Sequence, residues 1–292
     1  MTTFPLGQYH VHRVGFGAMQ LPGPGVFGPP RDHDQAIAVL RRAVDRGVNH
    51  IDTAQFYGPN VANELIREAL HPYPAGLALV SKVGGRRDEQ GSWLPAQESD
   101  ELRAGIEDNL RTLDTDRLAA VNLRVMGQDG DATTPGAVDT ELFDRQLTAM
   151  IAARDEGLID GIGLSGITLD HLRIALQRTE IVCVQNAYNL VDRASKPVLD
   201  ACAERGIAFV PFFPLGSGFN PANPVLGNTE IRRAAAELDR TPAQVALAWT
   251  LSVAPNVLLI PGTSSVPHLD ENLAVADIEL DDATRRRLAA VG

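Results

Sequence analysis

Apolar residues along this chain gather in short β-rich runs, separated by longer stretches where they recur every three or four positions. The runs predict strands at Val11–Gly17, Val48–Thr53, Leu77–Val83, Leu118–Arg124, Ile159–Ser165, Ile181–Asn186, Ile207–Phe212 and Val257–Pro261. Amphipathic helices are expected between them, at Asp32–Arg46, Glu98–Leu113, Asp139–Glu156 and Ala194–Arg205. Gly47, Gly157 and Gly206 stand just past three of these helices, where a left-handed backbone ends a helix at no steric cost. Strands alternating with helices imply a parallel sheet. Eight such units favour closure into a (β/α)8 TIM barrel, and 292 residues fit one such domain spanning positions 1–292. Two loops interrupt the alternation, Gly84–Gln97 after the third strand and Phe213–Asn228 after the seventh. Loops of that length are uncommon unless they bind or cover something.

The ends of the strands are where the pattern turns polar. The first closes on Gly17-Ala18-Met19, the second on Asp52, the third on Lys82 and the fourth on Arg124. The fifth closes on Ser165, the sixth on Gln185-Asn186, the seventh on Phe212 and the eighth on Gly262-Thr263-Ser264. Taken singly, each has a structural explanation; Asp52 could cap a turn with Tyr57 packed upon it. A carboxylate, an amine and a guanidinium converging near a tyrosine is another matter, because buried charge without compensation is costly. At the carboxyl-terminal rim of a barrel, such a cluster marks a candidate active site.

Composition narrows the function classes. Hydrophobic residues make up 44% and charged residues 22%, as in ordinary globular proteins. A formal charge of −11 argues against a nucleic-acid partner. No apolar run approaches the ~20 residues of a membrane span. The amino-terminal MTTFPLGQYHVHRV lacks the basic start and apolar core of a signal peptide, so a cytoplasmic protein is expected. Cys183 and Cys202, the two cysteines, fall in apolar or helical contexts and are expected to be buried thiols.

Read in order, GFGAMQL, HIDTAQFYG, SK on the third strand, GLS on the fifth, VQNAYN on the sixth, PFFPLG and IPGTSS…ENL resemble the aldo-keto reductases. The resemblance runs from about Val11 to Asn272. It implies a barrel that binds NADP(H), with NAD(H) as the alternative, and reduces an aldehyde or ketone by hydride transfer. By the same resemblance Tyr57 is the general acid, with Lys82 beside it making the phenol a better proton donor and Asp52 holding Lys82 charged. The fourth member of the family's tetrad is a His; here AAVNLRVMG places Arg124 at that point. Arginine donates hydrogen bonds but does not exchange protons near neutrality. It could polarise the carbonyl, or pair with Asp52 and hold the site in a resting geometry.

The resemblance also implies the cofactor contacts. Gln185 and Ser165 would meet the nicotinamide carboxamide, although the family's Ser-Asn is Ser165-Gly166 here. Phe212 would stack on the nicotinamide, Gly17, Ala18, Met19 and Asp52 would line its site, and Pro214, Leu215, Gly216 and Ser217 would cover the pyrophosphate. Gly262, Thr263, Ser264 and His268 would form an anion site at a helix amino terminus for the adenosine 2′-phosphate. Ser264 or Ser265 could equally be a simple helix cap. Lys and Arg, frequent in the family where Gly262 and His268 stand, are absent. Glu271 and Asn272 would face the adenine. Phe27, Trp93 and Met126, from rim loops, are candidate walls of a pocket for a small-molecule carbonyl substrate. The short carboxyl terminus suggests an open site, and a monomer or weak oligomer is expected.

Two other readings compete. His10-Val11-His12, with His50 near Asp52, has a spacing found in metal-dependent barrel hydrolases, but the remaining histidines fall in helices or helix-side loops and the expected metal content is none. A barrel that binds NADP(H) with little turnover, reporting redox state to a partner, is the alternative that Arg124 keeps open. Trp249 and the run Arg285-Arg286-Arg287 are expected to be core and solvated helix face, respectively.

Overall fold

The computed structural model describes residues 2–126, 138–216 and 223–291. The chain begins with an antiparallel hairpin of β1 (Thr3–Leu6) and β2 (Tyr9–His12). Strands β3 (Phe16–Gly17), β4 (His50–Asp52) and β5 (Ala78–Val83) then open a parallel sheet. A second hairpin, β6 (Gly85–Arg87) with β7 (Trp93–Pro95), stands on the loop beyond β5. The sheet continues through β8 (Ala120–Arg124), β9 (Ile162–Ser165), β10 (Cys183–Gln185) and β11 (Ala208–Phe209), all parallel to their neighbours.

Closure comes from a segment too short to count as a strand. Val257 bridges Phe209 of β11, and Leu259 bridges Val14 ahead of β3, both in parallel. The Gly15 amide donates to the Leu259 carbonyl at 2.8 Å, and the Leu259 amide donates to the Arg13 carbonyl at 2.8 Å. The eighth expected strand is therefore present as these bridges, and the sheet curls into a barrel of the TIM type. Higher on this seam the backbones of the first and eighth strands touch. A Cβ at Gly17 would collide with the Ile260 carbonyl, and one at Gly262 with the Gly17 carbonyl.

The outer shell comprises α1 (His33–Asp45), α2 (Val61–Leu70), α3 (Ser99–Leu113), α4 (Thr140–Asp155) and α5 (Leu169–Arg178). It continues with α6 (Lys196–Ala203), α7 (Thr229–Leu238), α8 (Pro242–Ser252), α9 (Val266–Leu273) and α10 (Asp282–Ala289). Local chemistry sets their ends. Asp32 caps α1 by accepting from the Gln35 amide, and Glu98 and Glu101 form a reciprocal capping box on α3. Gly47, Gly157 and Gly206 have φ of +90°, +82° and +67°, the stop conformation expected of them.

Strand pleating divides the core in two. Ile51, Leu79, Val83, Val121 and Leu123 face outward into a large cluster shared with the helices. Ala78, Val80, Ala120, Cys183, Ala208, Val210 and Leu258 face inward, where Leu6 and Val11 of the first hairpin close the floor of the barrel. Both cysteines are fully buried, and burial pushes their thiols up, Cys202 to about 12.

Two sequence expectations are corrected. Val11–Gly17 is not one strand: Val11 and His12 belong to the floor hairpin, and the barrel strand is confined to Phe16–Gly17. Because Val11 is held in the barrel floor, His10 and His12 lie at the end opposite the rim. Gly84–Gln97 is not simply a loop, since β6 and β7 pair within it. Among the described residues no helix is long and apolar enough to cross a membrane.

Arg13 staples the seam. Its guanidinium donates to three carbonyls, of Leu251 (2.6 Å), Ala254 (2.8 Å) and Val257 (3.1 Å), at the approach to the eighth segment. Replacing Arg13 by Met leaves these acceptors without their donor. The expected loss is about 2–4 kcal/mol of unfolding free energy in urea titration, with little change in the m-value.

Candidate active site

Pleating predicts which residues meet at the rim. Ala78, Val80 and Lys82 alternate inward on β5, Ala120, Asn122 and Arg124 on β8, and Cys183 and Gln185 on β10. On β4, Ile51 faces the helices, which turns His50 and Asp52 into the barrel. The polar strand ends therefore converge above an apolar floor.

Asp52 and Lys82 form a buried ion pair, the residues being 2% and 3% exposed. Each carboxylate oxygen is committed: Lys82 Nζ donates to Oδ1, and Gln185 Nε2 donates to Oδ2 at 2.6 Å. Lys82 also donates to the Thr53 carbonyl at 3.0 Å. Burial works against the ammonium, but the Asp52 carboxylate and the Tyr57 oxygen outweigh it, so the Lys82 pKa stands above its ordinary value. Lys82 Nζ sits 5.0 Å from the centroid of the Tyr57 ring, which packs edge-on against Phe56.

Tyr57 is held by a turn whose anchors lie outside the barrel. Its amide donates to the Ala54 carbonyl at 3.0 Å, and its carbonyl accepts from Ala62 at 3.1 Å, in the first turn of α2. Behind that turn a buried polar network ties both flanks to α2 and α3. Thr53 Oγ1 donates to Asn63 Oδ1 (2.8 Å), while Asn63 Nδ2 donates to Asn109 Oδ1 and Thr112 Oγ1 (2.9 Å each). Ser81 Oγ donates to Asn109 Oδ1 (2.6 Å), and Asn109 Nδ2 donates to Gln55 Oε1 (3.0 Å). None of these residues was singled out from the sequence. A signal was there: Gly105, Asn109 and Thr112 recur at helical spacing on the buried face of α3.

Arg124 ends β8 level with Ser165 of β9, and its guanidinium lies 5.1 Å from the centroid of Phe212. Gln97 Nε2 fixes the Arg124 carbonyl at 3.0 Å. Asp52, Tyr57, Lys82, Arg124, Gln185 and Phe212 line one cavity of about 730 Å³. Gly17, Met19, Pro214, Leu215, Gly216, Gly262 and Ser264 line it as well. Arg31, Asp32 and Gln35, at the start of α1, also face it and were not foreseen, because a helix cap carries no signal of what lies across the rim.

Other candidates lie elsewhere. Ala18 is buried in a single 3₁₀ turn, and Thr263, His268, Glu271 and Asn272 do not line the cavity. Ser265 caps α9 by accepting from the His268 amide, so the capping alternative holds for that serine. Phe27 and Trp93 stack on Arg87, at 5.5 and 4.0 Å, and with Met126 they lie off the cavity lining. This corrects their expected place: Arg87 donates to the carbonyls of Gly25 and Gly91 and gathers both aromatics under the rim loops. Ser217 lies outside the described residues. Among the described residues, no cluster of three or more His, Cys, Asp or Glu side chains could hold a metal.

Two buried polar atoms at the strand ends lack a partner among the described residues; Gln185 lines the cavity, whereas Ser165 does not. Ser165 Oγ and Gln185 Oε1, on paired positions of β9 and β10, have no hydrogen-bond partner among the described residues. An unsatisfied buried polar atom costs about 1–3 kcal/mol. A hydroxyl beside an amide oxygen supplies a donor and an acceptor, the set that a primary carboxamide such as that of nicotinamide requires.

A family model described as the aldo/keto reductase family matches residues 13–292. Pyridoxine 4-dehydrogenase of Escherichia coli K12 is 52% identical over 280 residues, covering 96% of this chain and 94% of its own length. An uncharacterised oxidoreductase of Schizosaccharomyces pombe is 37% identical, covering 99% and 90%. Among solved structures, an aldo/keto reductase of Klebsiella pneumoniae in complex with NADP and acetate matches with a TM-score of 0.79 and 25% identity, over 99% of this chain and 94% of that one.

Two measurements test the electrostatics of the site. Lys82→Met leaves the buried Asp52 charge without its cation and is expected to cost about 3–5 kcal/mol, whereas Lys82→Met with Asp52→Leu recovers most of that loss in urea titration. His50, also buried, has neither ring nitrogen hydrogen-bonded among the described residues. Burial drives its pKa down to about 4, Lys82 acting in the same sense and Asp52 against it. The unfolded chain therefore takes up a proton near its ordinary value of ~6.5 that the folded chain refuses, and stability falls as pH drops from there to about 4. His50 accounts for about 3 kcal/mol of that decline, so His50→Asn is expected to gain that much on wild type between pH 7 and 4.

Proposed function

The chain belongs to the aldo/keto reductase family, and on that premise we propose that it interconverts an aromatic aldehyde and its primary alcohol with NADP(H), Tyr57 serving as the general acid. The observation that carries this reading is the buried Lys82 ammonium, held between the Asp52 carboxylate and Tyr57 at the base of the cavity. The likeness to pyridoxine 4-dehydrogenase supports a substrate of the pyridoxal class, a hydroxypyridine with its reacting carbon at position 4.

NADPH, when bound, supplies the hydride. Ser165 Oγ and Gln185 Oε1 would hold its carboxamide, Phe212 would face its ring, and Leu215 and Gly216 would lie along the pyrophosphate. Thr263, Ser264 and the amino terminus of α9 suit the 2′-phosphate; His268, Glu271 and Asn272, on the same helix, would meet the adenosine. The Klebsiella relative's complex with NADP supports the phosphorylated cofactor.

The protein's own part is to manage charge and a proton. Tyr57 donates to the substrate carbonyl oxygen and gives up its proton as that oxygen becomes negative. Lys82 stabilises the tyrosinate left behind, and Asp52 keeps Lys82 charged and aimed. Gln185 and the Thr53 carbonyl fix the pair, so no dipole has to reorient as the charge develops. Arg124 adds a permanent cation near the same oxygen. In the reverse direction the tyrosinate takes the hydroxyl proton of the alcohol.

With pyridoxal and NADPH, Tyr57→Phe is expected to lower kcat by at least about 10²-fold. It should still quench tryptophan fluorescence on binding NADPH. Retention of the wild-type rate would remove Tyr57 from the mechanism, and absence of NADPH binding by wild type would remove the cofactor assignment.

A further inference from the structure

Arg87, at the end of β6, does not line the cavity, yet two rim segments meet on it. Its Nη2 donates to the Gly25 carbonyl and its Nε to the Gly91 carbonyl, each at 3.0 Å. Gly25 lies between β3 and α1, and Gly91 between β6 and β7. The guanidinium sits over two rings, 4.0 Å from the centroid of Trp93 and 5.5 Å from that of Phe27. The adjacent Asp88 is committed elsewhere. Its Oδ1 closes the hairpin tip by accepting from the Gln90 (3.0 Å) and Ser92 (2.7 Å) amides.

Each ring leads to one side of Tyr57. Trp93 packs edge-on against Phe56 with centroids 5.5 Å apart, and Phe56 packs edge-on against Tyr57 at 5.4 Å. Phe27 bridges Gly58: the Gly28 amide donates to the Gly58 carbonyl at 2.8 Å, and the Gly58 amide donates to the Val26 carbonyl at 3.2 Å. The residue before the tyrosine and the residue after it are therefore both held by aromatic partners of one arginine.

The arrangement is costly, which argues that it is kept for position rather than stability. Burial works against the charge of Arg87, and its Nη1 has no hydrogen-bond partner among the described residues. Next to Gly25, Val26 has a φ of +59°, a left-handed backbone that β-branched residues rarely adopt. Gly91 packs so closely that a Cβ there would come within 3.1 Å of the Phe27 ring. Strain of this kind persists where the surroundings over-determine the geometry, and it gathers at functional sites.

We propose that Arg87 is a positioning residue for Tyr57, aiming the phenol at the substrate carbonyl by bracketing Phe56 and Gly58. This rests on the reading of Tyr57 as general acid and adds the group that holds it from the mouth of the barrel. The planar fork of an arginine suits the task, since it reaches two carbonyls at once while its charge rests on aromatic rings.

The test is a double-mutant cycle in kcat for pyridoxal with NADPH, run on wild type, Arg87→Met, Tyr57→Phe and the double variant. NADPH binding is followed by the fluorescence of its dihydronicotinamide, because Trp93 touches the mutated site. Arg87→Met should lower kcat by about tenfold, below the ~10²-fold that a misplacement of about 1 Å brings. Its dissociation constant for NADPH should stay within about twofold of wild type. In the Tyr57→Phe background the same substitution should change kcat by less than about twofold, since no proton donor remains to be aimed. If Arg87→Met does not fold, Phe27→Leu and Trp93→Leu, each cutting one arm of the bracket, replace it in the cycle with the same coupling expected. An unchanged kcat, equal losses in both backgrounds, or a change confined to KM overturns the proposal and leaves the reductase reading standing. If wild type oxidises no NADPH with pyridoxal, the reading beneath the proposal fails and the proposal with it.

Discussion

The geometry of the rim depends on the ion pair of Lys82 with Asp52. Two opposite charges at 3% and 2% exposure persist only if each satisfies the other and the remaining lone pairs and protons find partners. Gln185 takes the second carboxylate oxygen, and the Thr53 carbonyl accepts from the ammonium. These contacts join β4, β5 and β10, strands that do not pair in a single run. The pair therefore also works as a cross-brace inside the barrel, fixing the strand ends from which the cavity is built.

Outside the barrel wall, the Asn63–Asn109 network performs the complementary task. It anchors Thr53 and Gln55, the residues between Asp52 and Tyr57 that decide where the turn goes, to two helices. Buried amides of this kind form high-stakes networks, since a half-satisfied member is worse than an apolar side chain. Tyr57 is thus positioned from behind by polar contacts and from within by the ammonium beneath its ring. A loop residue so held has the precision of one built on a strand.

Much of this was legible from strand periodicity. Placing Asp52, Lys82, Arg124 and Gln185 at one rim needs only the two-residue alternation and the end of each apolar run. The floor hairpin was not legible, because Val11 and His12 continue the apolar pattern of the barrel strand and nothing local marks the break between His12 and Phe16. The eighth strand was legible as an apolar run, although its pairing is reduced to bridges at Val257 and Leu259. Phe27 and Trp93 were misplaced because aromatic residues in rim loops look alike whether they face a ligand or an arginine. Here Arg87 claims both. Asn63 and Asn109 were passed over since an asparagine on a helix is usually solvated. Only their spacing among buried neighbours distinguishes them.

The buried cysteines have a practical consequence. With just Cys183 and Cys202 in the chain, both without solvent exposure and both made weakly acidic by burial, the native protein presents no thiolate to an alkylating reagent. A cysteine engineered onto the hairpin beyond β5 would be the sole site of labelling. A spectroscopic reporter could then be attached at the mouth of the barrel without first removing any native residue.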